Sequence, residues 1–171
     1  ALNTVVEAID KIRDTSTSHE RVSIVEVMGR NCGDLALYAG ICGGAEAVIV
    51  PELPFDKEEL CRTILEGKNQ GKRHNLIILA EGVGGAYELA EYVEGVTGIE
   101  TRATILGHIQ RGGSPTAQDR VLASRMGVKA VEVLMEGKTS RVIGIRDNQI
   151  IDQDIDEALA MERKFNQELY D

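Results

Sequence analysis

Nine consecutive residues, Gly107-His108-Ile109-Gln110-Arg111-Gly112-Gly113-Ser114-Pro115, hold the densest set of groups suited to an anion. Arg111 carries a forked donor that matches phosphate oxygens, His108 adds a donor of adjustable charge, and the paired glycines let backbone N–H groups turn toward a ligand. Arg102 lies on the apolar run that leads into this segment. The set suits a phosphate monoester; a glycine turn with a salt-bridged arginine is the plainer alternative. A second segment, Met28-Gly29-Arg30-Asn31-Cys32-Gly33, also follows an apolar run and precedes a helical pattern. Backbone donors at a helix N-terminus beside Arg30 would suit a further phosphoryl group, although the same spacing serves an ordinary tight connection. It is neither a dinucleotide fingerprint nor a P-loop. Glu81, within Ala80-Glu81-Gly82, offers a carboxylate able to accept hydrogen bonds from sugar hydroxyls, or a plain surface charge. Lys72-Arg73-His74, with Arg13 and Glu46, could hold a nucleotide diphosphate or another anion; a basic helix end answering the macrodipole reads equally well. No His/Cys/Asp/Glu spacing resembles a metal site, and no nucleophile motif is present.

The elements that must carry these groups are legible from period. Helical stripes alternate with short apolar strands, which predicts an α/β fold with a mostly parallel, Rossmann-like sheet and helices on both faces. Strands are predicted at 21–28, 47–50, 75–80, 101–106 and 141–145. Helices are predicted around 2–12, 32–43, after a cap at Asp56, over 87–93 and over 116–136, with the last 20 residues helical and acidic. The chain has 171 residues, 28 acidic and 19 basic, for a formal charge of −9. That balance argues against a nucleic-acid partner, whose phosphates need a face rich in Lys and Arg. Residues 150–171 hold seven of the acids against two bases, whereas 101–130 hold five bases against Asp119 alone. A local cationic stretch in an acidic chain is what a small anionic ligand needs. No apolar run reaches the ~18 residues of a membrane span, so a cytoplasmic protein without a membrane partner is expected. Cys32, Cys42 and Cys61 form neither a C-x-x-C pair nor an even set and read as buried thiols of a reducing compartment.

Taken together, VEVMGRNCGDLA, LAEGVG, ETRATILGHIQRGGSPTAQDR and GIRDNQ resemble the carboxy-terminal portion of bacterial ATP-dependent 6-phosphofructokinases, over essentially the whole chain. The resemblance implies transfer of the ATP γ-phosphoryl to the 1-hydroxyl of fructose 6-phosphate. It implies a sugar-phosphate site of Arg21, Met28, Gly29, Arg30, Glu81, Arg102, His108, Ile109, Gln110 and Arg111, with Arg30 as the catalytic group beside the transferred phosphoryl. Arg21 and Arg102 would serve a neighbouring subunit of a homotetramer. An effector site for ADP or phosphoenolpyruvate would use Arg13, Gly44, Ala45, Glu46, Lys72, Arg73 and His74; Gln70 stands where some members have Arg. ATP and Mg2+ would be held mainly by a segment ahead of Ala1, which also carries the general base, so the chain is expected to be a piece without kinase activity of its own. Residues 1–109 are expected to form the sugar-phosphate and effector lobe, 110–160 to complete the ATP lobe, and 161–171 to return to the first. A non-catalytic sugar-phosphate or nucleotide sensor and a pyrophosphate-dependent relative remain the alternatives.

Overall fold

A computed structural model describes residues 1–16, 20–162 and 164–171; the stretch 17–19, ahead of the first strand, and Arg163, in the acidic tail, lie outside the described residues. Four parallel strands form the main sheet: β1 (Arg21–Val27), β2 (Ala47–Ile49), β3 (His74–Ala80) and β4 (Thr101–Ile105), in the order β2-β3-β1-β4. In register, Arg21 lies beside His74 and Val27 beside Ala80 on one flank of β1, and Ser23 lies beside Arg102 on the other. Alternation sends Val22, Ile24, Ile77 and Leu79 to one face, where α3 (Lys57–Asn69) and α4 (Ala86–Thr97) cover them with Leu60, Ile64, Leu89 and Val93. Val25, Val27, Leu76 and Ile78 point the other way, against Val5 and Ile9 of α1 (Leu2–Ser16) and Ala36 and Ala39 of α2 (Asp34–Gly43). Near-continuous apolar strands such as NLIILA are what a sheet buried on both faces requires.

Asp56 caps α3 by accepting from the Glu58 N–H at 2.8 Å, as its position in the sequence predicts. The long helix α5 (Ala117–Met135) opens on a capping box in which Thr116 and Asp119 satisfy one another's backbone N–H groups. The tail departs from expectation. β5 (Arg141–Arg146) turns through Asp147 and Asn148, both at positive φ, and pairs antiparallel with β6 (Gln149–Asp154), so the acidic end starts as a strand rather than a helix. Two successive left-handed residues make the tight hairpin turn whose twist matches its strands, and Asp-Asn is suited to it. Among the described residues of the tail, α6 (Ile155–Ala160) and α7 (Gln167–Tyr170) are helical. The cysteines also divide: Cys61 is buried, Cys32 half-buried and Cys42 exposed on α2, because Cys42 falls on the outer side of that helix.

The described residues form two compact units, Ala1–Gly112 with Phe165–Asp171, and Gly113–Lys164. The first holds the parallel sheet. In it the tail closes on β2, where the Tyr170 hydroxyl donates to the Val48 carbonyl at 3.1 Å and Phe165 meets Tyr170 edge to face. The second holds α5, the β5–β6 hairpin and α6, tied by Arg141 to Asp152 at 2.8 Å. On α5, Val121, Val128, Val131, Leu134 and Met135 are exposed, Met135 at 83 %. No described helix is long and apolar enough to cross a membrane.

Candidate functional site

The sheet order itself picks the place. From the carboxyl end of β1 the chain leaves through α2 toward β2 on one face; from its neighbour β3 it leaves through α4 toward β4 on the other. Divergent exits from adjacent strands open a crevice at their carboxyl ends, the usual ligand position in open α/β sheets.

Three strand ends meet there. After β1 the backbone turns sharply: the Cys32 N–H donates to the Gly29 carbonyl at 3.0 Å, and Arg30 sits in the left-handed region at φ +53°. A side chain at Gly29 would run into the Cys32 carbonyl, and one at Gly82 into the Arg30 carbonyl, so the crossing of these two loops needs glycine on both. After β3, one oxygen of Glu81, Oε1, accepts from the Gly29 N–H at 3.1 Å and from the Arg30 N–H at 2.6 Å. After β4 comes a 3-10 turn, Gly107–Arg111, whose Gln110 is 1 % exposed and accepts from the Met28 N–H at 2.9 Å through Oε1. Hydrogen bonds from the Gly29 and Arg30 backbones hold the Glu81 carboxyl below its ordinary range; burial opposes them less strongly, and the Arg30 and Arg111 charges add still smaller contributions in the lowering direction. Glu81 is therefore ionised at neutral pH and acts only as an acceptor, with its second oxygen, Oε2, the one not engaged by those two N–H groups. Glu26, on β1, is pushed the other way, first by burial and then by the charges of Glu81 and Glu88.

Against the sequence reading, the crevice gathers Met28, Gly29, Arg30, Glu81, His108, Ile109, Gln110 and Arg111 around the carboxyl ends of β1, β3 and β4. His108, Ile109, Arg111 and Arg30 are exposed, whereas the Gln110 side chain is turned inward onto the Met28 backbone. One expectation is corrected. Backbone N–H groups of the 28–33 loop do not form an open anion cradle: those of Met28, Gly29 and Arg30 are taken by Gln110 and Glu81, and that of Gly33, at the start of α2, by both oxygens of Glu52 at 2.8 and 3.1 Å. Sequence reasoning missed Glu52, because nothing in the spacing of Pro51-Glu52-Leu53 shows that a carboxylate after β2 reaches a helix start after β1. The loop's one charged side chain, Arg30, is exposed.

Arg21 and Arg102 do not join this set. Both stand near the amino ends of β1 and β4; at ~3.3 Å per residue Arg21 is about 20 Å from the carboxyl end of β1, and Arg102, beside Ser23, about 13 Å from it. There Glu100 bridges them, at 3.1 Å to Arg21 and 2.7 Å to Arg102, and its carboxyl lies below its ordinary range chiefly through the Arg102 hydrogen bond. Arg21 Nε is buried without a hydrogen-bond partner among the described residues. The same edge carries the other expected group. Arg13, at the end of α1, donates to the Gly43 carbonyl; Gly44 ends α2 in the left-handed conformation; and Glu46 accepts from the Leu76 N–H while Lys72 approaches it at 3.4 Å. Ala45 and His74 are half-buried there, and Arg73 is exposed. Gln70 ends α3, its backbone N–H spent on the helix carbonyls.

Among the described residues no group of three or more His, Cys, Asp or Glu side chains is placed to hold a metal ion. The phosphofructokinase family model matches residues 1–134. An ATP-dependent 6-phosphofructokinase of Clostridium perfringens is 77 % identical over 171 residues, all of this chain and 54 % of that protein. The phosphofructokinase structure from Saccharomyces cerevisiae superposes with a TM-score of 0.85 at 39 % identity, over 92 % of this chain and 23 % of that one. A pyrophosphate-dependent phosphofructokinase from Marinobacter aquaeolei gives 0.79 at 25 % identity, over 98 % and 47 %. The chain thus spans about half the length of the curated relatives that it matches, corresponding to their carboxy-terminal portion. With the motifs, the four-stranded sheet and the crevice in agreement, the chain belongs to the phosphofructokinase family.

Proposed function

We propose that this chain supplies the acceptor side of a glycolytic 6-phosphofructokinase, which moves the γ-phosphoryl of ATP to the 1-hydroxyl of fructose 6-phosphate. The observation that carries the reading is the crevice at β1 and β3, where an ionised Glu81 lies near two arginines, Arg30 and Arg111, that form no salt bridge among the described residues. His108 and Arg111 take the 6-phosphate on the exposed side of the 3-10 turn, with Ile109 beside them. Glu81 Oε2 accepts from the sugar hydroxyls, and Met28 and Gly29 line the reacting end. Arg30 spreads the charge on the transferred phosphoryl oxygens; phosphoryl transfer depends chiefly on positioning and charge neutralisation, which a fixed guanidinium supplies.

Arg21 and Arg102 complete the 6-phosphate site of a neighbouring subunit in a homotetramer, which accounts for their place at the opposite edge of the sheet. Arg13, Gly44, Ala45, Glu46, Lys72, Arg73 and His74 form an effector site for ADP or phosphoenolpyruvate on that same edge. Residues 1–109 and 161–171 serve as the substrate and effector lobe, and 110–160 complete the ATP lobe, whose packing would cover the exposed apolar side chains of α5. ATP as donor follows the naming of the 77 % identical relative rather than that of the 25 % identical one. Mg2+ would neutralise the donor phosphates; the residues described here do not form a site for it, and no step of theirs runs through it. The working place is the cytoplasm.

Titration calorimetry with fructose 6-phosphate, and turnover assays on this chain beside one extended to the length of its relatives, test the reading. Sugar-phosphate binding, with kinase activity only on extension, is expected. Turnover by the 171-residue chain alone would overturn the division of labour, and binding without any turnover on extension would make the protein a sensor.

A further inference from the structure

We propose that Gln110 is a positioning residue that couples occupancy of the His108 and Arg111 turn to the setting of Arg30. The inference rests on the reading that an acceptor phosphate binds at that turn. The 3-10 turn has two sides: His108, Ile109 and Arg111 are exposed, Ile109 at 68 %, and Gln110 is 1 % exposed. The outward side chains would bind a ligand; the inward one grips the first of three successive backbone donors, the Met28 N–H at 2.9 Å. The next two, of Gly29 and Arg30, belong to Glu81. Three N–H groups in a row are therefore held by side chains from two other strand ends, and they end on Arg30 at φ +53°, a conformation that an L residue keeps only where its surroundings impose it.

The two clamps differ physically. Glu81 is partly exposed and ionised, so water competes with it for the same donors. Gln110 is neutral and enclosed, and removing its acceptor leaves a donor without a partner in a place that solvent does not readily refill. His108, Gln110 and Arg111 share one 3-10 turn, closed by the Gly112 N–H on the Ile109 carbonyl at 2.9 Å, so a pull on Arg111 or His108 from outside would shift the Gln110 carboxamide inside, and with it the start of the Met28-Gly29-Arg30 run. Acceptor binding would thereby tighten the group that meets the phosphoryl, a means of favouring transfer to a bound sugar phosphate over transfer to water.

The test uses the protein at the full length of its relatives. Amide hydrogen exchange at Met28, with and without saturating fructose 6-phosphate, is measured beside steady-state kinetics for the unsubstituted protein, Gln110→Met and Gln110→Glu. Methionine keeps the volume without an acceptor oxygen, and glutamate restores one. Expected are ligand-induced slowing of Met28 exchange in the unsubstituted protein, at least tenfold faster exchange in Q110M, a roughly tenfold lower kcat with KM for fructose 6-phosphate within twofold, and recovery in Q110E. Unchanged Met28 exchange on ligand binding overturns the proposal even if Q110M does not fold. A raised KM at full kcat would make Gln110 a direct substrate contact, and Q110E no better than Q110M would make it simple filling; either result overturns it. Failure of the unsubstituted protein to bind fructose 6-phosphate overturns the coupling together with the site reading, and is told apart because the faster Met28 exchange of Q110M would persist without ligand.

Discussion

Replacing Glu81 separates its part in the fold from its part in the site, and its cost can be worked from two distances. Its Oε1 accepts from Gly29 at 3.1 Å and Arg30 at 2.6 Å. Hydrogen bonds to an ionised group contribute about 1.5–3 kcal/mol each, roughly twice a neutral one. Glu81→Gln keeps an oxygen in place but loses the charge, so about 1–2 kcal/mol of stability should go. Glu81→Ala removes the acceptor altogether; water can serve the exposed Arg30 N–H but serves the half-buried Gly29 N–H poorly, giving about 3 kcal/mol. For a chain of this size each kcal/mol moves the melting temperature by ~2–4 °C, so E81Q should melt about 2–8 °C and E81A about 6–12 °C below the parent at pH 7.

The pH dependence gives a second, independent reading. The folded-state carboxyl lies below its ordinary value of 4.5, so its contribution is complete above that value and is lost as pH falls through the depressed folded one. Glutamine does not titrate. The gap between parent and E81Q should therefore be constant from pH 7 to about 5 and close as the solution is made more acidic. Thermal unfolding followed by circular dichroism at several pH values measures this. An E81Q protein that melts with its parent at pH 7, or a gap that persists undiminished through the acid range, would refute the claim that Glu81 organises the 28–30 loop as a carboxylate.

Three further outcomes are expected. Arg111→Ala in the full-length enzyme should weaken fructose 6-phosphate binding by about 1.5–3 kcal/mol, roughly 10- to 150-fold, with little change in melting temperature, because the Arg111 side chain is exposed and forms no salt bridge among the described residues; calorimetry decides, and unchanged affinity would remove Arg111 from the site. At position 30, Arg30→Gly and Arg30→Ala should both lose phosphoryl transfer, yet the glycine variant should be about 1 kcal/mol the more stable, since only it adopts φ +53° without strain; equal melting temperatures would contradict the backbone argument. Finally, oligomers assembled from a mixture of Arg102→Ala and Arg111→Ala subunits should recover part of the activity that each variant lacks alone, because some sites then draw both arginines from intact copies. No recovery on mixing would place both arginines in one subunit's site.

Much of this was readable from residue order. Alternating patterns located the four parallel strands, Asp56 and Thr116 marked helix starts that the structure bears out, and the glycine-rich connections fell at strand ends. Illegible parts share one physical cause: they depend on partners distant in the chain. Glu52 reaches Gly33 across two strand ends, and Gln110 reaches Met28 across 82 positions, so no local spacing could show that the backbone donors beside Arg30 were already taken. The β5–β6 hairpin was missed for a different reason, since Asp147-Asn148 was a local turn signal masked by the acidic, helix-forming composition around it.

That occupancy changes how the loop after β1 can act. An open row of N–H groups at a helix start attracts any anion, whereas here protein side chains hold the N–H groups of Met28, Gly29, Arg30 and Gly33, and the exposed cation is one guanidinium on a constrained backbone. Electrostatic help to a transferring phosphoryl is worth most when the donor is fixed where charge develops and is not spent on binding the ground state. Engaging those four N–H groups with Glu52, Glu81 and Gln110 reduces indiscriminate anion attraction at the loop and leaves the directed contribution of Arg30. The amino edge of the sheet follows the opposite rule: Glu100 and Glu46 occupy side chains there, Arg21 with Arg102 and Lys72 respectively, and an arriving anion must compete with those carboxylates before it is held. Competition of that kind weakens binding but makes it responsive to charge. On this physical ground the carboxyl edge is suited to the proposed transfer chemistry, and the amino edge to charge-responsive anion binding, whether of the proposed effector at Lys72 or of a neighbour's sugar phosphate at Arg21 and Arg102.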